Sequence, residues 1–317
     1  MIERAFKKIY SSSDKYQRLF CTISQNKKNM KILVTGATGQ LGSVVVETLL
    51  KKMPAKQIVV ISRSAEKVLE LQSKGLKAFQ GDYDDLISLE KAMKGVDKVL
   101  LISSSDPVNR MQQHRNVVDA AKKIGVKHIA YTGRSLRNVH TLENKLMVDH
   151  FLTEDYIRES GIAYIIYRNA LYMDVLVYYV GKNIFETGFF PLPAGDGKVA
   201  FALRKDIGEA IANSLVKIEI KNKIIKFTGN ASYSFHDVAA ALSELSGKEI
   251  KYMPLELDTY IEKMKETGLP ERMIKLIADF NIDIKNGQED EVTSEMEQAL
   301  GRKPISLKEG LKILFGL

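Results

Sequence analysis

The stretch Lys31-Ile-Leu-Val-Thr-Gly-Ala-Thr-Gly-Gln-Leu-Gly42 restricts the fold of this 317-residue chain more than any other. Ile32 to Val34 read as a short buried strand that breaks at Gly36, after which Leu41, Val45, Thr48 and Leu49 recur on one helical face. Gly36, Gly39 and Gly42 stand three apart across this strand-to-helix turn. Side chains there would hold a pyrophosphate off the N–H groups at the positive end of the helix. The last glycine also lets helix and strand pack closely. Glycine-rich turns serve ordinary tight bends too, but one placed after a strand and before an amphipathic helix points to a dinucleotide. The contacts expected from the turn are Gly36, Ala37, Thr38, Gly39, Gln40, Leu41 and Gly42.

Short β-rich runs alternate with helical ones from Lys31 to about Phe227, the pattern of a doubly wound parallel sheet. Strands are expected at residues 31–35, 57–62, 77–80, 98–103, 128–132, 163–168 and 224–228. Helices are expected between them at 41–52, 65–74, 86–94, 110–124 and 146–160. Right-handed crossovers bring the carboxyl ends of such strands to one edge, where ligands of open α/β sheets sit. Beyond residue 230 the chain turns helical, with helices expected at 235–246, 258–266 and 271–280. Ser234 and Asp237 mark a helix start, and Ser306-Leu-Lys-Glu309 reads as a capping box before the last helix. The expected fold is therefore α/β: a Rossmann-like doubly wound parallel sheet over residues 30–230, with a smaller, mostly helical C-terminal substrate domain over 231–317.

Charge and composition narrow the function. With 45% hydrophobic and 27% charged residues the chain reads as a soluble globular enzyme, and no apolar run approaches the roughly 18 residues of a membrane helix. The formal charge of +8 is uneven: seven basic residues face two acidic ones before Met30, leaving about +3 for the rest. In the body the lysines interleave with acids, as on a solvated surface, which argues against a nucleic-acid partner. Residues 1–29 are basic and Ser-containing, so they read either as a transit-like segment or as a disordered or non-native extension, the second being favoured. The single cysteine, Cys21, suits a reducing compartment, and a cytoplasmic location is expected.

The glycine spacing is G-x-x-G-x-x-G, and further motifs accompany it. These are Pro54-Ala-Lys-Gln-Ile58, Gly81-Asp-Tyr83, Leu100-Leu-Ile-Ser-Ser-Ser105, Gln113-His-Arg-Asn-Val-Val118, Gly125-Val-Lys-His-Ile-Ala-Tyr-Thr132 and Arg168-Asn-Ala-Leu-Tyr172. Together they resemble the NmrA-like group of atypical short-chain dehydrogenases/reductases, and most of all its type 2 NAD(P)H:quinone oxidoreductase and triphenylmethane reductase branches. The likeness runs from about Met30 to the C-terminus. It implies an NADPH-dependent, flavin-free and metal-free reductase acting on a quinone or similar planar acceptor, as a monomer or homodimer. The alternative is a non-enzymatic NADP(H)-sensing regulator, since some NmrA-like proteins bind a dinucleotide and a protein partner without turnover.

Arg63 follows the second expected strand, where an arginine can pair with the 2′-phosphate of NADP; no acid lies between Glu47 and Glu66. A solvated loop arginine is the other reading, and Lys67 is either a helper or a helix-surface residue. The resemblance implies that Asp82 accepts from the adenine amino group, beside a helix-capping role. Ser103, Ser104 and Ser105 end the fourth strand and Thr132 the fifth, where ribose and nicotinamide should pass. The resemblance places nicotinamide and substrate near Asn169 and Tyr172, the latter also readable as a core tyrosine. The Tyr-x-x-x-Lys pair of ordinary short-chain reductases is missing after the fifth strand; Tyr178 and Lys182 fit the letters too late in the chain. Ketone reduction therefore lacks its acid, whereas a quinone yields a phenolate with a pKa of about 10 that water can protonate. His150 and Glu154, four apart on the helix where that pair would sit, are a candidate weak proton relay; His114 and His128 read as structural, and no cluster has metal spacing.

Overall fold

The structure, a computed structural model, describes residues 30–217 and 222–317; the expected N-terminal extension lies outside the described residues. Seven strands form one parallel sheet: β1 (Ile32–Val34), β2 (Ile58–Ser62), β3 (Lys77–Gln80), β4 (Lys98–Leu101), β5 (His128–Arg134), β6 (Ala163–Asn169) and, after β7 (Phe189–Leu192) and β8 (Lys198–Val199), β9 (Lys223–Phe227). Their order is β3-β2-β1-β4-β5-β6-β9, so the winding reverses at β1 and opens a crevice beyond its carboxyl end.

Helices cover both faces of the sheet, which is why its central strands are apolar throughout. Ile32, Val34, Val60 and Leu100 point to one side, where they meet α1 (Gln40–Leu50) through Leu41, Val45 and Leu49. Leu33, Val59 and Val99 point to the other, against Leu89 of α3 (Leu86–Met93), Val117 of α4 (Arg110–Ile124) and Ile157 of α5 (Val148–Glu159). The short α2 (Ala65–Ser73) closes the β2–β3 crossover, its first turn capped by Ser64.

Past β6 the chain makes α6 (Leu176–Val180) and α7 (Ile184–Thr187), then α8 (Arg204–Leu215), which returns to pack on α1. After β9 come β10 (Tyr233–Ser234), α9 (Phe235–Ser246), β11 (Lys251–Pro254), α10 (Leu257–Lys265), α11 (Glu271–Lys285), α12 (Glu295–Leu300) and α13 (Leu307–Phe315). Capping boxes open α9 and α13, at Ser234 with Asp237 and at Ser306 with Glu309. A second apolar cluster joins Phe235, Leu242 and Leu311 to Leu171, Phe190 and Phe201, so it draws on chain from both sides of residue 230.

Several elements shift from the expected bounds, most by a residue or two, and in two the tertiary reason is clear. β4 ends at Leu101 because side chains replace its ladder: Ile102 N–H donates to Thr35 Oγ1 (3.0 Å) and Ser103 N–H to Thr132 Oγ1 (2.9 Å). α11 runs five residues past Phe280, because Asn281, Asp283 and Ile284 are buried against the rest of the molecule.

Candidate functional site

The glycine turn is tight in the way its spacing implies. Gly36 has φ +58°, a left-handed conformation that favours glycine, and its carbonyl accepts Gly39 N–H at 3.0 Å. A Cβ on Gly42 would overlap that same carbonyl oxygen and lie 2.8 Å from Ala37 Cα. Gly42 thus closes the helix onto the turn itself, where the packing role expected of it was against the strand. Gly39 caps α1 without a side chain, and the first turn holds no acidic residue, so the positive helix end carries no carboxylate of its own.

A cleft of about 990 Å³ runs over the strand ends. Of the residues expected from the sequence, Gly36, Thr38, Gly39, Gln40, Leu41, Gly42, Arg63, Asp82, Ser103, Ser104, Ser105, Thr132, His150 and Tyr172 all line it. Ala37 and Asn169 do not: Ala37 is turned into the apolar core, and the Asn169 amide is fully buried at the end of β6. Arg63 is 84% exposed, with Nε 3.9 Å from Asp82 Oδ2. Asp82 accepts Asp84 N–H at 3.1 Å, while the cap of α3 is Asp85, so the capping role read into Asp82 belongs to its neighbour. Lys67 pairs with Glu70 at 2.8 Å on the surface of α2 and does not line the cleft.

The serine loop after β4 is held from behind. Ser104 N–H donates to His114 Nε2 at 2.9 Å, which puts the ring proton on Nδ1, 2.8 Å from Thr153 Oγ1. Burial, with Arg110 beside it, pushes the pKa of His114 down to about 3, so the ring is neutral. Gln113, the preceding residue on α4, reaches the cleft between Ser104 and Asp84. Its motif was visible in the sequence, but nothing in that pattern showed which side chain turns inward.

At the far end the cleft is walled by Thr132, Gly133, Arg134, His150, Tyr172 and Arg204. The Tyr131 hydroxyl lies 2.8 Å from His150 Nδ1. Burial lowers the His150 pKa well below its usual value, with Arg110 and Arg134 adding to the shift, so His150 is neutral as well. The His150–Glu154 relay does not form as expected. Glu154 is fully buried and holds Arg168 through a fork, at 2.9 Å to Nε and 2.6 Å to Nη2, with Arg158 at 3.0 Å. A buried carboxylate is satisfied best by such charged donors, so it ties α5 to β6 and leaves His150 to Tyr131. Tyr178 is 74% exposed on α6 and does not line the cleft. Arg134 and Arg204 went unmarked in the sequence; the first simply extends Thr132-Gly133, and the second opens a helix with no side-chain cap to announce it.

A doubly wound sheet with a glycine turn at its switch point and one long cleft over the strand ends defines a Rossmann-like α/β protein. The chain belongs to the NmrA-like family, whose family model matches residues 28–312. It is 36% identical over 286 residues to quinone oxidoreductase 2 of Escherichia coli (strain K12), covering 90% of this chain and 99% of that one. The crystal structure of the NADPH-dependent E. coli enzyme complexed with NADPH matches with a TM-score of 0.84, at 36% identity and 90% and 99% coverage. Triphenylmethane reductase of Citrobacter sp. matches with a TM-score of 0.83, at 35% identity and 91% and 100% coverage. An NAD(P)H azoreductase of Xenophilus azovorans is 32% identical over 246 residues, covering 76% and 83%.

Proposed function

We propose that the protein is an NADPH-dependent, flavin-free reductase that passes hydride to a quinone or similar planar electron acceptor. The observation that carries this is the continuity of the cleft. One cavity joins Arg63 and Asp82, the glycine turn, residues 103–105 with Thr132, and the end walled by His150 and Tyr172. The chain fits a dinucleotide because the turn closes tightly at Gly36 and Gly42 and leaves the N–H end of α1 free of any side-chain cap or carboxylate. Relatives that are an NADPH-dependent quinone oxidoreductase and an NAD(P)H azoreductase support the same reading.

In this reading the N–H groups around Gly39 to Gly42 hold the pyrophosphate, Arg63 meets the 2′-phosphate, Asp82 the adenine, and Ser103 to Ser105 with Thr132 the ribose and ring. Bound NADPH supplies the hydride. The side chains at the acceptor end position a planar ring and supply no strong acid: His150 is neutral, and burial holds the Tyr131 phenol protonated. A quinone suits such a wall, since its reduced form is a phenolate with a pKa of about 10 and takes its second proton from water. The protein acts in this reading as a cytoplasmic monomer or homodimer. Purified protein should oxidise NADPH when given simple quinones or dyes, with no flavin added. Tight NADPH binding without acceptor-dependent oxidation across a broad panel would overturn the enzyme and leave the regulator.

A further inference from the structure

Two guanidinium groups face the acceptor end, and both keep their carboxylate partners behind them. Arg134, at the end of β5, has a side chain only 10% exposed. Its Nη2 pairs with Glu289, which is buried outside the cleft lining. Its Nε is buried with no partner, and among the described residues Nη1 makes no hydrogen bond either. A guanidinium presents five N–H donors, so Glu289 leaves most of them unmatched. Arg204 lies with Cζ 4.4 Å over the Tyr172 ring. Its Nη1 is 3.5 Å from Asp174, whose other oxygen takes the Arg204 backbone N–H at 2.9 Å, and Asp174 too is outside the lining.

The carboxylates that do line the cleft are engaged elsewhere. Asp82 faces Arg63, and Asp106 accepts the N–H groups of Val108 and Asn109 at 2.8 and 2.9 Å. Of the other groups around the arginines, His150 is neutral and Glu154 is matched by Arg168 and Arg158. Among the described residues, the wall around Tyr172 therefore presents cations and no anion. Unmatched donors on a fixed, mostly buried cation favour an anion and disfavour a second cation.

We propose that Arg134 and Arg204 form a cationic pocket that selects acceptors by charge, favouring neutral quinones and planar aromatics bearing a sulfonate or carboxylate over cationic dyes. The inference deepens the reductase reading and rests on it. A quinone that takes a hydride gains two electrons and one proton and becomes the hydroquinone monoanion, while NADPH becomes NADP⁺; water supplies the second proton. The new oxyanion is the group the two arginines stabilise. A cationic dye loses its charge on reduction, so it meets repulsion on entry and no compensating attraction afterwards.

The test separates pocket from turnover. With saturating NADP⁺, calorimetry compares a redox-inactive naphthalene sulfonate with naphthyltrimethylammonium. The sulfonate should bind at least about tenfold more tightly, the size of one charge-assisted contact. Arg204→Gln should shrink that ratio severalfold and Arg204→Lys should keep much of it. The pair Arg134→Gln with Glu289→Gln, which leaves no lone buried carboxylate, should shrink it as well; if that double variant does not fold, the Arg204 variants decide. Steady-state rates with a neutral naphthoquinone, its sulfonate and a cationic dye should rank the same way. Equal binding of the two naphthalenes, or a ratio untouched in Arg204→Gln, overturns the pocket. Absence of turnover with every acceptor overturns the reductase reading instead, and the binding ratio still decides the pocket.

Discussion

Arg63 reaches into solvent at the mouth of the cleft, and its one ion pair among the described residues is with Asp82, at 3.9 Å. So loose a pairing leaves the guanidinium able to turn onto a phosphate, which it matches by a fork of donors. NADPH should therefore bind at least about tenfold more tightly than NADH, and Arg63→Ala should erase the difference by weakening NADPH alone. Fluorescence titration of both cofactors checks this; equal affinities in the wild type would count against it. His114 sets a different dependence, on pH. Its folded-state pKa of about 3 lies below the unfolded value of about 6.5, so the unfolded chain binds the extra proton between them. The stability tied to this ring is complete above about pH 6.5 and is lost as pH falls toward 3, at up to about 1.4 kcal/mol per pH unit. His150 works in the same direction. His114→Gln should flatten the slope of urea-unfolding free energy against pH below 6.5 by up to one proton, and an unchanged slope would refute the neutral, buried ring.

At the scale of elements, α8 is one of the helices the sequence did not announce, and one glycine explains its seat. A Cβ on Gly208 would lie 2.6 Å from Val44 Cγ1, so α8 lies close against α1, the helix that carries the glycine turn. Its far end is held by Lys98, whose buried Nζ donates to the Leu215 carbonyl at 2.9 Å and to that of Lys217. Burial lowers the pKa of Lys98 to about 8. Gly208→Ala should destabilise the protein by about 1–3 kcal/mol through overpacking. Adding Val44→Ala should recover only part of that loss, because it removes the Cγ1 that is struck and keeps the Val44 Cβ, which would lie 2.8 Å away. Chemical denaturation of the two single variants and the double variant checks the coupling, and simple additivity would argue that the helices do not meet there.

Across the whole molecule, the C-terminal chain clasps the loop between β5 and α5. Buried Asp283 of α11 accepts the N–H groups of Glu143 at 2.8 Å and Asn144 at 3.1 Å. The Gln288 side chain accepts Asn138 N–H at 2.9 Å and donates to Thr141 Oγ1 at 2.7 Å. Leu136, Leu142 and Met147 pack against Phe280 beneath them. This loop links Arg134 to the helix bearing His150, so the clasp positions the acceptor end of the cleft. Asp283→Ala strands two N–H donors, at about 1–3 kcal/mol each. The variant should lose stability and should speed amide exchange at Glu143 and Asn144 more than in the central strands. Uniform exchange, with no local excess, would mean that the clasp holds nothing in particular.

Much of this was legible from local pattern. The strand, glycine turn and helix over residues 31–50, the seven strands of the sheet and the capping boxes at Ser234 and Ser306 all rest on spacing within a few residues, which a chain displays before it folds. What the tertiary structure alone decided depends on partners far away in sequence. Arg134 meets Glu289 across 155 residues and Lys98 meets Leu215 across 117. β4 stops at Leu101 because the Thr35 and Thr132 hydroxyls take its next two N–H groups. Nor does spacing show that His150 answers to Tyr131 while Glu154 answers to Arg168. Periodicity tells which face of an element turns inward, but the charge found at that face is set by whatever the completed fold packs against it.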